Sequence, residues 1–419
     1  MPNLSKKQAL IFDMGLFTEV AVRFARDFGS VKYFNPNYES FPKPFKEKTG
    51  EGLEGVERIG EVEFWDSLDK ADIIMFPDNT CAGIVEYLKR YEYPVCGVGY
   101  AEKLEINRWY GRTVQKDNGL PIQETHKITG MKALEEFCKT HKNYFIKMDN
   151  SFRGVSESFH HKNWKYSEPR IDSISQKITP YKEDVVFICE EKLGGIETGY
   201  DSIVFDGEQL FPMTGGYERK GVGYIARIYD KEADLPDAFK TIHSGLEPEF
   251  KKCKTRFFYS TEIKIDKDRV PYLIDPTLRC AAPGVNAIQL ELISNYSEVC
   301  YGLAVGIKVN PIMKHKYAAA MALESSEAKD GWLNVTFPKE MRQWVKLRMA
   351  INHGGDYYAV PGFDSICSVV ALGDSIKDVV NTVKERVKEI HATGIEADVG
   401  DFEAIIDDVN LGKQYGISF

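Results

Sequence analysis

The stretch from Arg256 to Arg279, RFFYSTEIKIDKDRVPYLIDPTLR, reads as two strands joined by a short polar turn, with two acids where acids are costly. Phe257, Tyr259, Thr261, Ile263 and Ile265 alternate with more polar residues, and Tyr272, Leu273 and Ile274 lead an apolar return strand. This is the period-2 pattern of a hairpin. A turn symmetric about Lys267 to Val270 places Glu262 directly opposite Asp275. Opposed residues have Cβ atoms about 4.5–5.5 Å apart, and like charges there repel unless something cationic lies between them. Asp275, Thr277 and Arg279 share parity, so two oxygen donors and a guanidinium face one way, as a hard cation and a phosphate would require. A solvent-facing hairpin edge with ordinary surface charge is the alternative reading.

At 419 residues, the chain is long enough for about two to four domains. Its 43% hydrophobic and 28% charged content describes a globular protein rather than a disordered or fibrous one. A net charge of −9 with no long Lys/Arg run argues against a nucleic-acid partner. Eight cysteines, at 81, 96, 138, 189, 253, 280, 300 and 367, form no C-x-x-C pair, so neither a zinc ribbon nor a disulfide framework is indicated. No long apolar leader and no run of about 18 apolar residues is present, so the expectation is a cytoplasmic protein without membrane contact.

Ahead of the hairpin, apolar runs at 9–12, 31–34, 73–76 and 95–98 alternate with helical spacing at Val20, Phe24 and Phe28 and again over 83–91. The alternation predicts a parallel sheet covered by helices and ending near residue 100. Ligands of such sheets sit beyond the carboxyl ends of the strands, here Asp13 to Gly15 and Pro77 to Ala82. The absence of G-x-G-x-x-G disfavours a dinucleotide. Residues 101–121 read as one helix stopped at Asn118-Gly119, 131–138 as another, and 143–149 as a strand carrying Lys147. The following loop, NSFRGVSESF, holds Ser151, Arg153 and Gly154 and could fold over phosphates with its N–H groups and guanidinium; a plain hairpin turn is the commoner outcome for such a loop. A buried-type strand over 185–188 runs into Glu190, Glu191 and Leu193 before Gly194-Gly195, offering backbone groups to an adenine edge, with Glu197 placed to accept from ribose hydroxyls. A solvated turn between two strands would look the same. Residues 202–205 and Asp206-Gly207 read as a hairpin, 214–224 as a flexible basic loop, 289–303 as one helix, and 316–323 as an Ala-rich strand or helix. Near the C-terminus, 366–372 reads as a strand, Ser375 opens a helix with a Val/Ile stripe, and Phe402 to Val409 form a last short helix.

With these residues in place, the sequence resembles the ATP-grasp superfamily over nearly its whole length, and within it the phosphoribosylamine–glycine ligases. Lys147 with the loop 151–155 is similar to the family's strand lysine and Gly-rich loop; Glu190, Leu193, Gly195 and Glu197 are similar to its E-x-x-L-x-G-x-E hinge; Glu262 and Asp275 resemble its metal acids, and Asp275 to Arg279 its E-x-N-x-R ending. The resemblance implies an α/β and α+β architecture. This would comprise an N-terminal parallel-sheet pre-ATP-grasp domain over 1–103, an ATP-grasp core over 104–333 with a lid at about 126–192, and a small C-terminal α/β domain over 334–419. It also implies ATP and Mg²⁺ (or Mn²⁺) held by Glu262, Asp275 and Thr277, and a nucleotide site of Arg108, Lys147, Ser151, Gly154, Glu190, Glu191, Leu193 and Glu197. Catalysis would fall to Arg279, Lys147 and Arg153. The implied activity is an ADP-forming carboxylate–amine ligase of purine biosynthesis, acting on an amino acid or other carboxylate and a phosphorylated amine, as a monomer or homodimer. A ligase with a different acceptor, or a nucleotide-binding regulatory module without turnover, are the other readings. Thr277 stands in place of the family's Asn and Arg108 in place of its Lys, and the G-D-P-E after the arginine is replaced by Ala281 to Gly284. An ammonium there would meet no carboxylate, so altered glycine selection is expected.

Overall fold

The computed structural model describes residues 2–36, 48–149, 158–281 and 283–419. The first layer contains β1 (Gln8–Phe12), α1 (Thr18–Ala25), β2 (Ser30–Phe34), β3 (Glu57–Arg58), α2 (Glu61–Asp66), β4 (Ile73–Met75), α3 (Ala82–Arg90) and β5 (Val95–Cys96). Its strands form a parallel sheet in the order β3-β2-β1-β4-β5. Ala9 to Phe12 and Ile73 to Met75 are buried, as strands covered by helices on both faces must be, which is why they read as unbroken apolar runs. Asp13, at the end of β1, is buried and accepts from the Phe17 amide (2.9 Å) and the Tyr33 hydroxyl (2.7 Å), so its carboxylate organises the strand-to-helix turn.

Two short helices follow, α4 (Lys103–Ile106) and α5 (Arg108–Asp117). The single helix expected over 101–121 is broken because Asn107 leaves helical geometry and caps α5, its Oδ1 accepting from the Tyr110 amide at 2.8 Å. A small antiparallel sheet comes next, built from β6 (Thr125–Thr129), α6 (Met131–Thr140), β7 (Tyr144–Met148), β8 (Ser158–His161), α7 (Trp164–Lys177) and β9 (Val186–Glu191) in the order β6-β9-β7-β8. It has a core of its own around Leu134, Ile146, Ile171, Ile174 and Phe187.

The largest sheet uses β10 (Ile196–Phe205), β11 (Glu208–Arg219), β12 (Gly223–Tyr229), then, after α8 (Asp237–Lys252), β13 (Arg256–Ile265) and β14 (Pro271–Thr277). Helices α9 (Gly284–Leu292) and α10 (Tyr296–Val305) lead to β15 (Tyr317–Glu324), β16 (Leu333–Val335), β17 (Val345–Leu347), β18 (Ala350–His353), β19 (Asp356–Ala359) and β20 (Ser365–Gly373). The chain ends in α11 (Ile376–Val387), α12 (Val399–Glu403) and α13 (Ile405–Gly412). The order β14-β13-β10-β11-β12-β15-β20-β17 is antiparallel throughout, so two strands beyond residue 334 complete a sheet begun at residue 196. Asp206 and Gly207 both have positive φ, the geometry a two-residue hairpin turn needs.

Three other readings change. Residues 214–224 are not a loop: they belong to β11 and β12, joined at Lys220 to Val222. The single helix over 289–303 is two, interrupted where Ile293 bridges to Met313 and Asn295 bonds to the 310–312 segment. The undecided segment 316–323 is β15, whose buried Ala318 to Ala320 lie between β12 and β20. Among the described residues, no helix is long and apolar enough to cross a membrane.

Helix α9 is tied to β17 by a buried ion pair between Glu291 and Lys346 at 2.5 Å, which Arg26, the C-cap of α1, joins at 2.8 Å. Burial alone would raise the Glu291 carboxyl, but the charges of Lys346 and Arg26 outweigh it and hold the group below its ordinary value. Glu291 therefore contributes stability above the carboxylate range that is lost as pH falls. Glu291→Gln leaves Lys346 buried without a counter-charge and should cost about 3–5 kcal/mol in urea unfolding at pH 7. The loss should shrink toward pH 4.

Candidate functional site

The hairpin β13–β14 carries the opposed acids through an irregularity rather than in spite of one. Near its tip, Ile265 faces Pro271 and Ile263 faces Leu273, a register that would put Glu262 opposite Ile274. One extra residue on β14 at this point shifts the pairing, so that Glu262 faces Asp275, Thr261 faces Pro276 and Ser260 faces Thr277. A bulge of this kind re-aims side chains and frees carbonyls. The freed carbonyls have takers: Arg112 donates to Leu273 O (2.5 Å) and Ile274 O (2.6 Å), and Lys147 reaches Ile274 O at 3.4 Å.

Cations from three other elements converge on the acids. Arg108 of α5 pairs with Asp275 at 3.2 Å, and Lys220, at the β11–β12 turn, pairs with Glu262 at 3.0 Å. Burial raises both carboxyls, but the outcomes diverge: Arg108, Lys147 and Arg112 bring Asp275 below its ordinary value, whereas Lys220 only partly offsets burial and the Asp275 charge at Glu262, which stays raised. Lys147 and Arg112 are held in turn by Glu190. The glutamate is 2% exposed, pairs with Lys147 at 3.0 Å and with Arg112, and is held at about 2 by their charges against the cost of burial. Asp149 accepts from the Arg108 amide at 2.6 Å, so the end of β7 caps α5 and ties the small sheet to the hairpin.

These side chains line two adjoining cavities. The larger, about 210 Å³, is bordered by Arg108, Lys147, Glu190, Glu191, Leu193, Glu197, Glu262 and Asp275 from the sequence-derived site, with Gln123, Phe145, Lys192, Lys220 and Lys264 added. The smaller, about 80 Å³, is bordered by Thr277 and Arg279, together with Glu218, Tyr224, Ala281 and Val285. Glu197 and Glu262 face both cavities, so Glu262 stands at the junction, while Asp275 opposite it borders the larger cavity. Ser151, Arg153 and Gly154 lie outside the described residues. Glu197 pairs with Lys264, its cross-strand partner, at 3.6 Å. The Glu190 carboxylate is engaged by Lys147 and Arg112, and Glu191, Lys192 and Leu193 border the cavity beside it. Gly195, at φ +100°, passes over the hairpin tip so closely that a Cβ would meet Ile265 O at 1.9 Å.

Arg279 is fixed by Glu105, which accepts from its Nε at 3.0 Å and from the Leu278 amide at 2.7 Å. The Cys280 amide donates to Pro77 O at 2.9 Å, which ties the segment after β14 to the carboxyl edge of the parallel sheet. The sequence reading missed Arg112, Lys220 and Glu218. Arg112 stands one helical turn from Arg108, a spacing that places both on one face, while Lys220 and Glu218 were hidden by taking 214–224 as a loop. Partial desolvation by the surrounding cleft, together with the Glu262 charge, pushes the Glu218 carboxyl up to about 7 against the opposing pull of Lys220, although the residue stays exposed to solvent. Among the described residues, no group of three or more His, Cys, Asp or Glu side chains is placed to hold a metal ion.

No protein-family model and no curated protein sequence matches the chain. Solved structures do match over almost the full length. The phosphoribosylamine–glycine ligase of Thermotoga maritima superposes with a TM-score of 0.68 at 16% identity, covering 93% of this chain and 98% of the other. The biotin carboxylase domain of the Hydrogenobacter thermophilus 2-oxoglutarate carboxylase, in complex with MgADP, ADP and bicarbonate, gives 0.68 at 12% identity over 98% and 96%. The L-amino acid ligase of Bacillus licheniformis gives 0.62 at 16% identity over 93% and 98%. The chain therefore has the fold of the ATP-grasp enzymes.

Proposed function

We propose that this protein is an ATP-dependent carboxylate–amine ligase that forms an amide bond through an acyl phosphate. The observation that carries this reading is the pair of opposed carboxylates, Asp275 bordering the larger cavity and Glu262 standing where it adjoins a second cavity of different character. Cations line the larger, as a polyphosphate requires, and Arg279 stands in the smaller. Mg²⁺ (or Mn²⁺) fits the donor set, because two carboxylates and the Thr277 hydroxyl offer hard oxygens and leave the remaining positions to phosphate oxygens and water. Such an ion would supply neutralisation of the phosphate charge.

In this reading, the adenine edge meets the backbone at 191–193 and Glu197 accepts from ribose hydroxyls. Lys147, steadied by Glu190, and Arg108 face the phosphates. Lys220 and Arg108, paired with Glu262 and Asp275, are further basic groups beside the place proposed for the phosphates. The substrate carboxylate attacks the γ-phosphorus from the smaller cavity with ADP leaving, and Arg279, fixed by Glu105, orients the acyl phosphate so that an amine attacks its carbonyl, expelling inorganic phosphate and losing a proton. Arg153, with Ser151 and Gly154, is proposed to exclude the water that would otherwise hydrolyse the intermediate. Altered glycine selection relative to the glycine ligases also belongs to this proposal.

Two substitutions test the assignment. Asp275→Asn keeps the volume and removes the charge, so carboxylate- and amine-dependent ADP release should fall by more than tenfold, a loss above about 1.4 kcal/mol of transition-state stabilisation, with the fold intact by circular dichroism. Retention of more than a tenth of wild-type kcat would remove Asp275 from the metal site. Glu197→Ala should raise the KM for ATP with a smaller effect on kcat, since a ribose contact is made equally in ground and transition states and one charged acceptor is worth about 1.5–3 kcal/mol. An unchanged KM would place Glu197 outside the nucleotide site.

A further inference from the structure

The replacement of Gly-Asp-Pro-Glu by Ala281 to Gly284 removes the acids expected beside a substrate ammonium, yet the smaller cavity that Ala281 borders is not without acids. Glu218 reaches it from β11, a strand far away in sequence. The other acids of that cavity are committed. Glu262 is paired with Lys220 and Glu197 with Lys264. Asp201 accepts from Ser260 (2.6 Å), Tyr224 (2.7 Å) and Thr214 (2.8 Å). Among the described residues, no basic group forms an ion pair with Glu218, and its side chain opens into the cavity. The same walls carry Arg279, whose guanidinium is aimed by Glu105, and are otherwise narrowed by Gly199, Gly216, Thr198 and Val285. A cavity of about 80 Å³ has room for a small molecule, given that a single water needs about 10–15 Å³.

We infer that the smaller cavity takes an α-amino acid as a zwitterion, with Glu218 receiving its ammonium group and Arg279 facing the carboxylate that is to be phosphorylated. The inference rests on the ligase reading above and names its carboxylate substrate class. Glu218 is then a specificity-determining residue that compensates, from a different strand, for the acids missing after Arg279. Glu218 is exposed at the edge of the cavity, and it discriminates because only the ammonium of an amino acid offers it a cationic partner there. The small walls restrict the side chain, so glycine, alanine and serine are the natural candidates.

The test traps the acyl phosphate with hydroxylamine, in the presence of MgATP, and measures hydroxamate from glycine, alanine and serine beside acetate and propionate, their counterparts without the amine. The wild type should prefer alanine over propionate in kcat/KM by about 10- to 150-fold, the range of one charged hydrogen bond. In Glu218→Gln that ratio should collapse toward one, through a raised KM for the amino acid. Glu218→Asp should restore part of the preference. A ratio that survives in Glu218→Gln overturns the proposal, as does an equal fall for alanine and propionate or a changed Mg²⁺ requirement, either of which would place Glu218 in the phosphoryl-transfer step. Hydroxamate formed by the wild type only from acetate or propionate also overturns it while leaving the ligase reading in place. No hydroxamate from any of the five overturns the ligase reading itself, and this inference with it.

Discussion

The constraint on which the site depends is the enforced opposition of two like charges. Glu262 and Asp275 face each other across an antiparallel pair, an arrangement that is destabilising unless something cationic intervenes. The hairpin does not fall into it by default, since its inner register would set Glu262 against Ile274, and a bulge is needed to bring Asp275 into place. The fold then covers the acids with Arg108 and Lys220. Under the proposed function, a bound cation would join Arg108 and Lys220 in offsetting these charges.

The surrounding architecture follows from satisfying that bulge. Its freed carbonyls at Leu273 and Ile274 are met by Arg112 and Lys147, and those two cations are balanced by the buried Glu190 at the end of β9. One ion network therefore links the hairpin, helix α5 and the small antiparallel sheet, and removing any one member would leave a buried charge exposed to the full desolvation cost. An independent set of contacts, Glu105 on Arg279 and Pro77 on Cys280, ties the segment after β14 to helix α4 and to the carboxyl edge of the parallel sheet.

How much of this could be read from the residues differs by kind of signal. The parallel sheet was legible because strands buried on both faces appear as unbroken apolar runs, and the opposed acids because alternation around a short polar turn fixes the parity. The bulge itself was not legible: a turn symmetric about Lys267 to Val270 would pair Ile265 with Tyr272, whereas Ile265 pairs with Pro271, and Glu262 meets Asp275 as expected only beyond the shift. The segment 214–224 misled because Thr214, Gly215, Gly216 and Arg219 look like loop residues. In the sheet, its glycines lie where Phe239, Tyr224 and Ile225 leave no room for a Cβ, a reason that only tertiary packing reveals. That misreading hid Lys220 and Glu218 together. Arg112 and Glu190 pair across 78 residues of chain, a separation no local pattern encodes.

Under the proposed function, Glu262 and Asp275 are kept face to face for a ligand and not for the fold. Thermal unfolding of the wild type and of Glu262→Gln, each with and without MgATP, addresses this directly. The variant loses a like-charge repulsion, so without ligand it should melt at or above the wild type. MgATP at a hundredfold excess over Kd should stabilise the wild type by about 2.7 kcal/mol and the variant by far less. A variant that melts well below the wild type without ligand, yet gains as much from MgATP, would contradict the account.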